Sequence, residues 1–321
     1  MWHHRRRFGT LHLDIGNRNI VQKEGMGGGP SAPPTVRVAV IMACFNRREK
    51  TLSCLRSLFA AAGGQEGLRL TVYLSDDASP DGTAEAVARQ FPAVVVLHGS
   101  GSQYWCGGMR QAMAAAIASG PSDYYLWLND DVLLFPESLR TLLHTADSEG
   151  RRLGEAPIVV GATRDPVSGK TSYGGRTQSR PLRPLYLDMV EPGDVPRRCT
   201  TMNGNCVLLP RSAVDRLGNL DPAFVHGLAD WDYGLRATRA GVPIFLSPGH
   251  VGSCAVNPGP GAARAAPASP RAAWRDAVGP KAFPVGAWKE YTRRYGGPLW
   301  FFYWLRPYLV ALVRGAIGAA K

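Results

Sequence analysis

Tyr124-Tyr125-Leu126-Trp127-Leu128-Asn129-Asp130-Asp131 decides the reading of this chain. Its bulky apolar residues fit a buried strand, and the run stops abruptly at one amide and two carboxylates. Towards the N-terminus, Val36 to Ala43 (VRVAVIMA) is a β-branched run typical of a buried parallel strand. Leu70 to Leu74 (LTVYL) and Val94 to Leu97 read as two more strands. Between these runs, Glu49 to Ala62 carries Leu52, Leu55, Leu58 and Phe59 at helical spacing. Pro80 to Gln90 reads as a helix with Ala84, Val87 and Ala88 apolar, and Gly108 to Ser119 as an alanine-rich helix. Strand–helix alternation predicts an α/β fold, an open sheet flanked by helices. In such sheets ligands bind beyond the C-terminal ends of the strands, where Asp76-Asp77 and Asp130-Asp131 fall.

Beyond Asp131 the pattern is less regular. Ile158 to Ala162 and Asn205 to Leu209 read as strands, and Asp232 to Gly241 as a helix. Pro166 to Arg198, rich in Gly, Pro and Arg, suits hairpins and loops, and residues 257–287 suit an irregular connection. Three regions are expected: a flexible tail over 1–35, a catalytic domain over 36–255, and an irregular connection leading to a basic, aromatic helical extension over 256–321. The tail rests on GMGGGPSAPP (25–34), and Met26 is a second candidate start.

The chain has 321 residues, 45% apolar and 19% charged, so it can bury a sizeable core and is neither disordered nor fibrous as a whole. Lys and Arg outnumber Asp and Glu, 37 to 25, a net charge of +12. Six cysteines without a CxxC pair argue against zinc fingers and disulfide scaffolds, and favour a reducing cytoplasm. Arg5-Arg6-Arg7 is followed by no apolar signal region. The longest apolar stretch, Leu299 to Ala320, is broken by Arg306, Pro307 and Arg314, so no membrane span is expected. Between Arg264 and Lys321, ten Lys and Arg face two acids, and Leu299 to Leu305 (LWFFYWL) is strongly aromatic. That composition fits a segment lying on anionic lipid, peripheral on the inner face of the plasma membrane. Packing back onto the catalytic domain and a dimer interface are the alternatives. No nucleic-acid module is present, so nucleic acid is not an expected partner.

Three acidic segments carry the candidate chemistry. Asn129-Asp130-Asp131 can hold a divalent cation through oxygen ligands, or can begin a helix before Pro136-Glu137-Ser138. DDASPDGT (76–83) is either a strand-to-helix turn capped by Asp81 or a nucleotide site. HGLADWDYGLR (226–236) sets two acids before a helix, one of them a candidate general base and the other a helix-start acid.

In this order the motifs resemble the family-two glycosyltransferases of the GT-A fold. The resemblance begins at Ala43-Cys44-Phe45-Asn46-Arg47 and runs through DDASPDGT, GSGSQYWCGGM (99–109), LNDD (128–131) and MNGNCVLLPR (202–211). It closes on LDPAFVHGLADWDYGLRATRAG (220–241) and PGHVGSC (248–254). WCGGM, NDD and ADWDYGLR look most like bacterial enzymes of surface-polysaccharide synthesis, with rhamnosyl- and galactofuranosyltransferases among them. The resemblance implies inverting transfer from a nucleoside-diphosphate sugar, UDP or dTDP, to a glycan or polyprenyl-diphosphate-linked hydroxyl. It implies Asp230 as catalytic base and Asp131 as ligand of Mn2+ or Mg2+. The donor side comprises Ala43, Phe45, Arg47, Asp76, Asp77, Gly108, Arg110, Asn129 and Asp130, and the acceptor side Trp105, His226 and Trp231. The first acid of the family's metal motif is here Asn129, whose amide oxygen carries no charge. His250 stands where the family places a further metal ligand, at an offset from Pro248-Gly249 that departs from the pattern. A sugar nucleotidyltransferase would want a glycine-rich triphosphate loop, which CFNRREK (44–50) lacks. A non-catalytic glycan- or nucleotide-binding member is the other alternative. The absence of GxGxxG after the first strand argues against a dinucleotide-dependent dehydrogenase.

Overall fold

The computed structural model describes residues 35–180, 182–257 and 269–319. Most of the expected flexible tail and residues 258–268 of the expected connection lie outside them. The chain opens with β1 (Val36–Cys44), α1 (Arg48–Ala62), β2 (Leu68–Asp76), α2 (Thr83–Gln90), β3 (Val95–His98), α3 (Tyr104–Ala118) and β4 (Tyr124–Leu128). There follow β5 (Leu133–Leu134), α4 (Ser138–Leu153), β6 (Ile158–Arg164), and short strands β7 (Thr171–Tyr173), β8 (Gly175–Thr177), β9 (Asp188–Met189), β10 (Arg197–Cys199) and β11 (Thr201–Met202). The last part comprises β12 (Cys206–Pro210), α5 (Arg211–Leu217), α6 (Ala229–Arg239), β13 (Ile244–Ser253), α7 (Pro270–Ala277), α8 (Val285–Tyr295) and α9 (Trp300–Ala319).

The main sheet runs β10-β13-β6-β12-β4-β1-β2-β3, and β8, β9 and β11 form a small second sheet. β1 pairs in parallel with both β2 and β4, β2 with β3, and β13 with β6. β12 is antiparallel to β4 and to β6, and β10 to β13. The chain therefore moves outward from β1 to β3 and then crosses to the other side of β1 for β4. That reversal opens a crevice beyond the ends of β1 and β4, where ligands bind in such sheets.

Alternate residues point to opposite faces, and both faces of the central strands are apolar. Ala39, Ile41, Tyr125, Trp127, Val207 and Leu209 face one helical layer, with Met109 and Met113 of α3, Tyr233 of α6 and Tyr291 of α8. Val38, Val40, Met42, Leu126 and Leu128 face the other, with Leu52, Leu55 and Leu58 of α1 and Leu142 of α4. A sheet covered on both faces needs apolar residues at every position.

Several boundaries differ from the sequence reading. α3 starts at Tyr104, four residues before the expected Gly108, because Asp77 reaches over from the end of β2 and accepts the N–H groups of Gln103 (2.8 Å) and Tyr104 (3.0 Å). No local pattern reveals a cap supplied from another loop. α6 starts at Ala229 rather than Asp232, following Leu228 in the left-handed region (φ 72°). The expected irregular connection contains α7, where Ser269 accepts from Ala272 N–H and Pro270 fills the first turn. PGHVGSC, read only as a motif, belongs to β13.

The C-terminal extension divides. α8 sends Ala287, Tyr291 and Tyr295 into the same core as β1 and β4. Asp232 of α6, fully buried, holds it there: Arg294 Nη1 (2.8 Å) and Tyr295 OH (2.7 Å) donate to Oδ1, and Arg236 Nε (2.8 Å) donates to Oδ2. α9 packs on α7 and α8, yet leaves Phe301, Phe302, Leu309, Val313 and Ile317 exposed. No helix of the described residues is long and apolar enough to cross a membrane.

Candidate active site

β4 ends on Asn129-Asp130-Asp131, and the loop after β1 approaches from the neighbouring strand. That loop is braced: Asn46, at φ 54°, donates its N–H to Ser79 Oγ (2.9 Å), and Arg48 N–H donates to Asp81 Oδ2 (2.9 Å). Asparagine tolerates this left-handed conformation better than most residues. Arg47 is thereby turned to the acids. Its Nη1 donates to Asp130 Oδ1 at 3.1 Å and to Asp131 Oδ2 at 2.9 Å. Both carboxylates are buried. Burial pushes the Asp130 carboxyl up to about 7; Arg47 opposes the rise and Asp131 adds to it. Two acids so close and so dry call for a cation.

Asp131 Oδ1 also faces the Cys254 thiol (3.5 Å), which burial first and Asp131 second push up to about 12, so the thiol stays protonated and donates. The two acids supply hard oxygen ligands that converge on a single atom. This fits Mg2+ or Mn2+, which bind through one or two carboxylates and take further oxygens from phosphate and water. No group of three or more His, Cys, Asp and Glu side chains among the described residues forms a metal cage. His250, expected as a further ligand, has other neighbours in this structure. Its Nε2 pairs with Thr171 Oγ1 (2.9 Å), and its charged neighbours are Arg164 and Glu191 rather than Asp131.

Asn129 is engaged on its other side. Trp105 Nε1 donates to its Oδ1 at 2.7 Å, so one of the two lone pairs of that amide oxygen is taken. The Trp105 ring lies against Gly204, where an added Cβ would meet the ring at 2.7 Å and Asp230 Cβ at 3.2 Å. Gly204 N–H donates to Asp230 Oδ2 (3.0 Å), and Trp231 N–H to Oδ1 (2.9 Å). Trp105 thus links the end of β4 to the first turn of α6. Desolvation raises the Asp230 pKa against these two N–H groups and the nearby Arg176. A carboxylate made more basic while held by fixed donors suits proton abstraction.

The remaining candidates divide. Asp76 and Asp77 are buried at the end of β2, Asp76 taking Ser79 Oγ and Asp77 taking three backbone N–H groups, including Gly101 at 2.7 Å. In this structure the Asp77 carboxylate organises the loop before α3. Gly108 permits close packing: a Cβ there would lie 2.8 Å from Ala43 Cβ. Phe45 is 50% exposed beyond β1 and offers an open aromatic face. Arg110 is directed elsewhere, its Nη1 donating to the Phe224 carbonyl at 3.2 Å. Trp231 lies between the Arg176 guanidinium (5.3 Å) and Tyr291. His226 stands edge-on to Tyr104, with its Nδ1 buried and unpartnered; burial, Lys281 and Arg47 push it down to about 4, so it is neutral.

Sequence reasoning missed Arg176, Asn203 and Gly204. Arg176 Nε donates to Asn203 Oδ1 (3.0 Å), and Arg176 lies close enough to Asp230 to lower its pKa. The MNGN segment (202–205) is a visible motif, but nothing in it names Asp230 as the partner of its glycine.

A mostly parallel sheet covered by helices on both faces, with an acidic strand end at its crevice, fits the GT-A architecture. The chain belongs to glycosyltransferase like family 2, whose model matches residues 33–277. It is 25% identical over 197 residues to an N-acetylglucosaminyl-diphospho-decaprenol L-rhamnosyltransferase of Mycobacterium tuberculosis, found in two strains. That match spans 54% of this chain and 62% of the relative's length. A mannosyltransferase of Pyrobaculum calidifontis, solved in complex with GDP-Man and Mn2+, shares the fold, with a TM-score of 0.50, 18% identity, and coverage of 91% of this chain and 76% of that one.

Proposed function

We propose that the protein is an inverting glycosyltransferase that moves a sugar from a nucleoside-diphosphate donor to a hydroxyl of a glycan or polyprenyl-diphosphate-linked acceptor. The observation that carries this reading is the pairing of two acidic centres across Trp105. Asp130 and Asp131 converge on one cation position, and Asp230 is a desolvated carboxylate held by Gly204 and Trp231. Phe45 offers a stacking face for the base, and Asp76 a carboxylate beside it. Asp130 and Asp131 would hold Mn2+ or Mg2+, which when bound stabilises charge on the departing diphosphate. Asp230 takes the proton from the acceptor hydroxyl. That oxygen attacks the anomeric carbon from the face opposite the diphosphate, the bond to the diphosphate breaks, and the configuration inverts. The neutral His226 Nδ1 is an unpaired buried polar atom of the kind a ligand satisfies, and it is assigned to an acceptor or donor-sugar hydroxyl.

The acceptor class draws support from the mycobacterial relative, whose name carries a decaprenol diphosphate. It also draws support from α9, whose exposed apolar residues accompany Arg306 and Arg314. Such a helix suits an anionic lipid surface, which supports a reading of the protein as peripheral on the inner face of the plasma membrane. The donor nucleotide is proposed as UDP or dTDP.

The test is thermal shift against UDP-, dTDP- and GDP-sugars, with and without Mn2+, paired with transfer assays. One nucleotide series should stabilise the protein in a Mn2+-dependent way. Asp230→Asn should keep that shift and lose transfer by roughly 10²- to 10⁴-fold. No shift with any donor, or wild-type turnover in Asp230→Asn, refutes the assignment.

A further inference from the structure

Arg47 occupies the position that a metal would take. Its Nη1 sits 3.1 Å from Asp130 Oδ1 and 2.9 Å from Asp131 Oδ2. A divalent ion bridging the same two oxygens would stand against the guanidinium, and two cations cannot share that point. The acids cannot simply be left alone either, because both are buried and a dry carboxylate pair without a countercharge is strongly unfavourable.

The backbone on either side of Arg47 is pinned by Ser79 and Asp81, whereas its side chain is 36% exposed. Release of the acids therefore needs only a side-chain rotation towards solvent, with no movement of the loop. An anion outside the acid pair would draw the guanidinium out, since its planar fork matches phosphate oxygens. Diphosphate also brings the oxygens that two carboxylates alone do not give a metal.

We propose that Arg47 is a resident countercation of the Asp130–Asp131 pair, exchanged for a divalent metal when a nucleoside diphosphate accepts the guanidinium. Metal and nucleotide are then coupled ligands: each removes a cost that the other would have to meet alone. This rests on the reading of Asp130 and Asp131 as metal ligands, and goes beyond it by making metal affinity conditional on the donor. The exchange also keeps the acids neutralised between turnovers without a tightly held ion.

The experiment measures Mn2+ binding by electron paramagnetic resonance of free Mn2+ at pH 8. It uses the full chain as wild type, Arg47→Met and Arg47→Lys, with and without UDP, dTDP or GDP, corrected for Mn2+ held by nucleotide alone. In the wild type, one nucleotide should tighten Mn2+ by about tenfold or more, and Mn2+ should tighten that nucleotide by the same factor. Arg47→Met should bind Mn2+ alone about tenfold more tightly than wild type, with the coupling largely lost. Arg47→Lys keeps a cation without the fork and should fall between, which preserves the test if the methionine variant folds poorly. Equal Mn2+ affinity of wild type and Arg47→Met without nucleotide overturns the exchange while leaving the transferase reading intact. No Mn2+ binding by any folded variant, with or without nucleotide, overturns both.

Discussion

Asp230 and Asp232 stand two residues apart on α6 and should respond to the same substitution in different ways. Asp232→Asn removes a charge that receives Arg236 Nε at 2.8 Å, Arg294 Nη1 at 2.8 Å and Tyr295 OH at 2.7 Å. The amide keeps one acceptor and turns its NH2 towards a donor. Breaking a buried pair costs about 3–5 kcal/mol, and a hydrogen bond to a charged group contributes about 1.5–3 kcal/mol. Arg236 and Arg294 are 24% and 22% exposed, so water recovers part of their solvation. The lower end, about 3 kcal/mol, is therefore expected. For a chain of this size that corresponds to a fall in Tm of roughly 4–6 °C. α8 should loosen first, because Arg294 and Tyr295 tie it to α6. Thermal unfolding by circular dichroism, with limited trypsin digestion at Arg293 and Arg294, measures both. Asp230→Asn, by contrast, relieves a desolvated charge but turns its NH2 towards one of the N–H groups of Gly204 and Trp231, so the two effects offset and its Tm should stay close to that of wild type. A loss under about 0.5 kcal/mol in Asp232→Asn, the range of ordinary surface substitutions, would refute the claim that this acid anchors α8.

Three further outcomes follow from the same geometry. The acid limb of kcat/KM should lie above the usual carboxylate pKa of about 3.9, because desolvation raises Asp230, and transfer should fall as pH drops through it. Arg176→Gln removes a positive charge that lowers that pKa, so the limb should move further up; an unmoved or lowered limb counts against Asp230 as the base. Gly204→Ala places a Cβ 2.7 Å from the Trp105 ring and 3.2 Å from Asp230 Cβ, which should cost roughly 1–3 kcal/mol of stability and reduce turnover, as thermal unfolding and steady-state kinetics would show. Phe302→Asp with Val313→Asp, both on exposed α9 positions, should abolish flotation with anionic liposomes while leaving Tm within a few degrees of wild type; equal flotation removes the lipid contact.

What the sequence by itself determined is the part of the molecule written in local periodicity. Val38–Ala43 and Tyr124–Leu128 are apolar at every position because both faces of the sheet are covered, and Leu52, Leu55 and Leu58 sit at helical spacing because one face of α1 is. The acids at strand ends were legible for the same reason: a strand that stops at Asn129 must deliver the next residues to the sheet edge. Only the tertiary structure decided which of these ends meet. The loop after β1 reaches Asp130 and Asp131 because β4 pairs with β1 rather than with β3, a choice of partner that no run of residues encodes alone. Asp77 caps α3, Trp105 holds Asn129, Gly204 holds Asp230, and Asp232 holds α8 across 62 residues of chain. The same ground holds for Arg110 and His250: each side chain shows its type in sequence, but not that it will meet the Phe224 carbonyl or the Thr171 hydroxyl. Propensity acts over a turn or two of backbone. The site depends on contacts between segments far apart in the chain, and these exist only once strand order has placed them side by side.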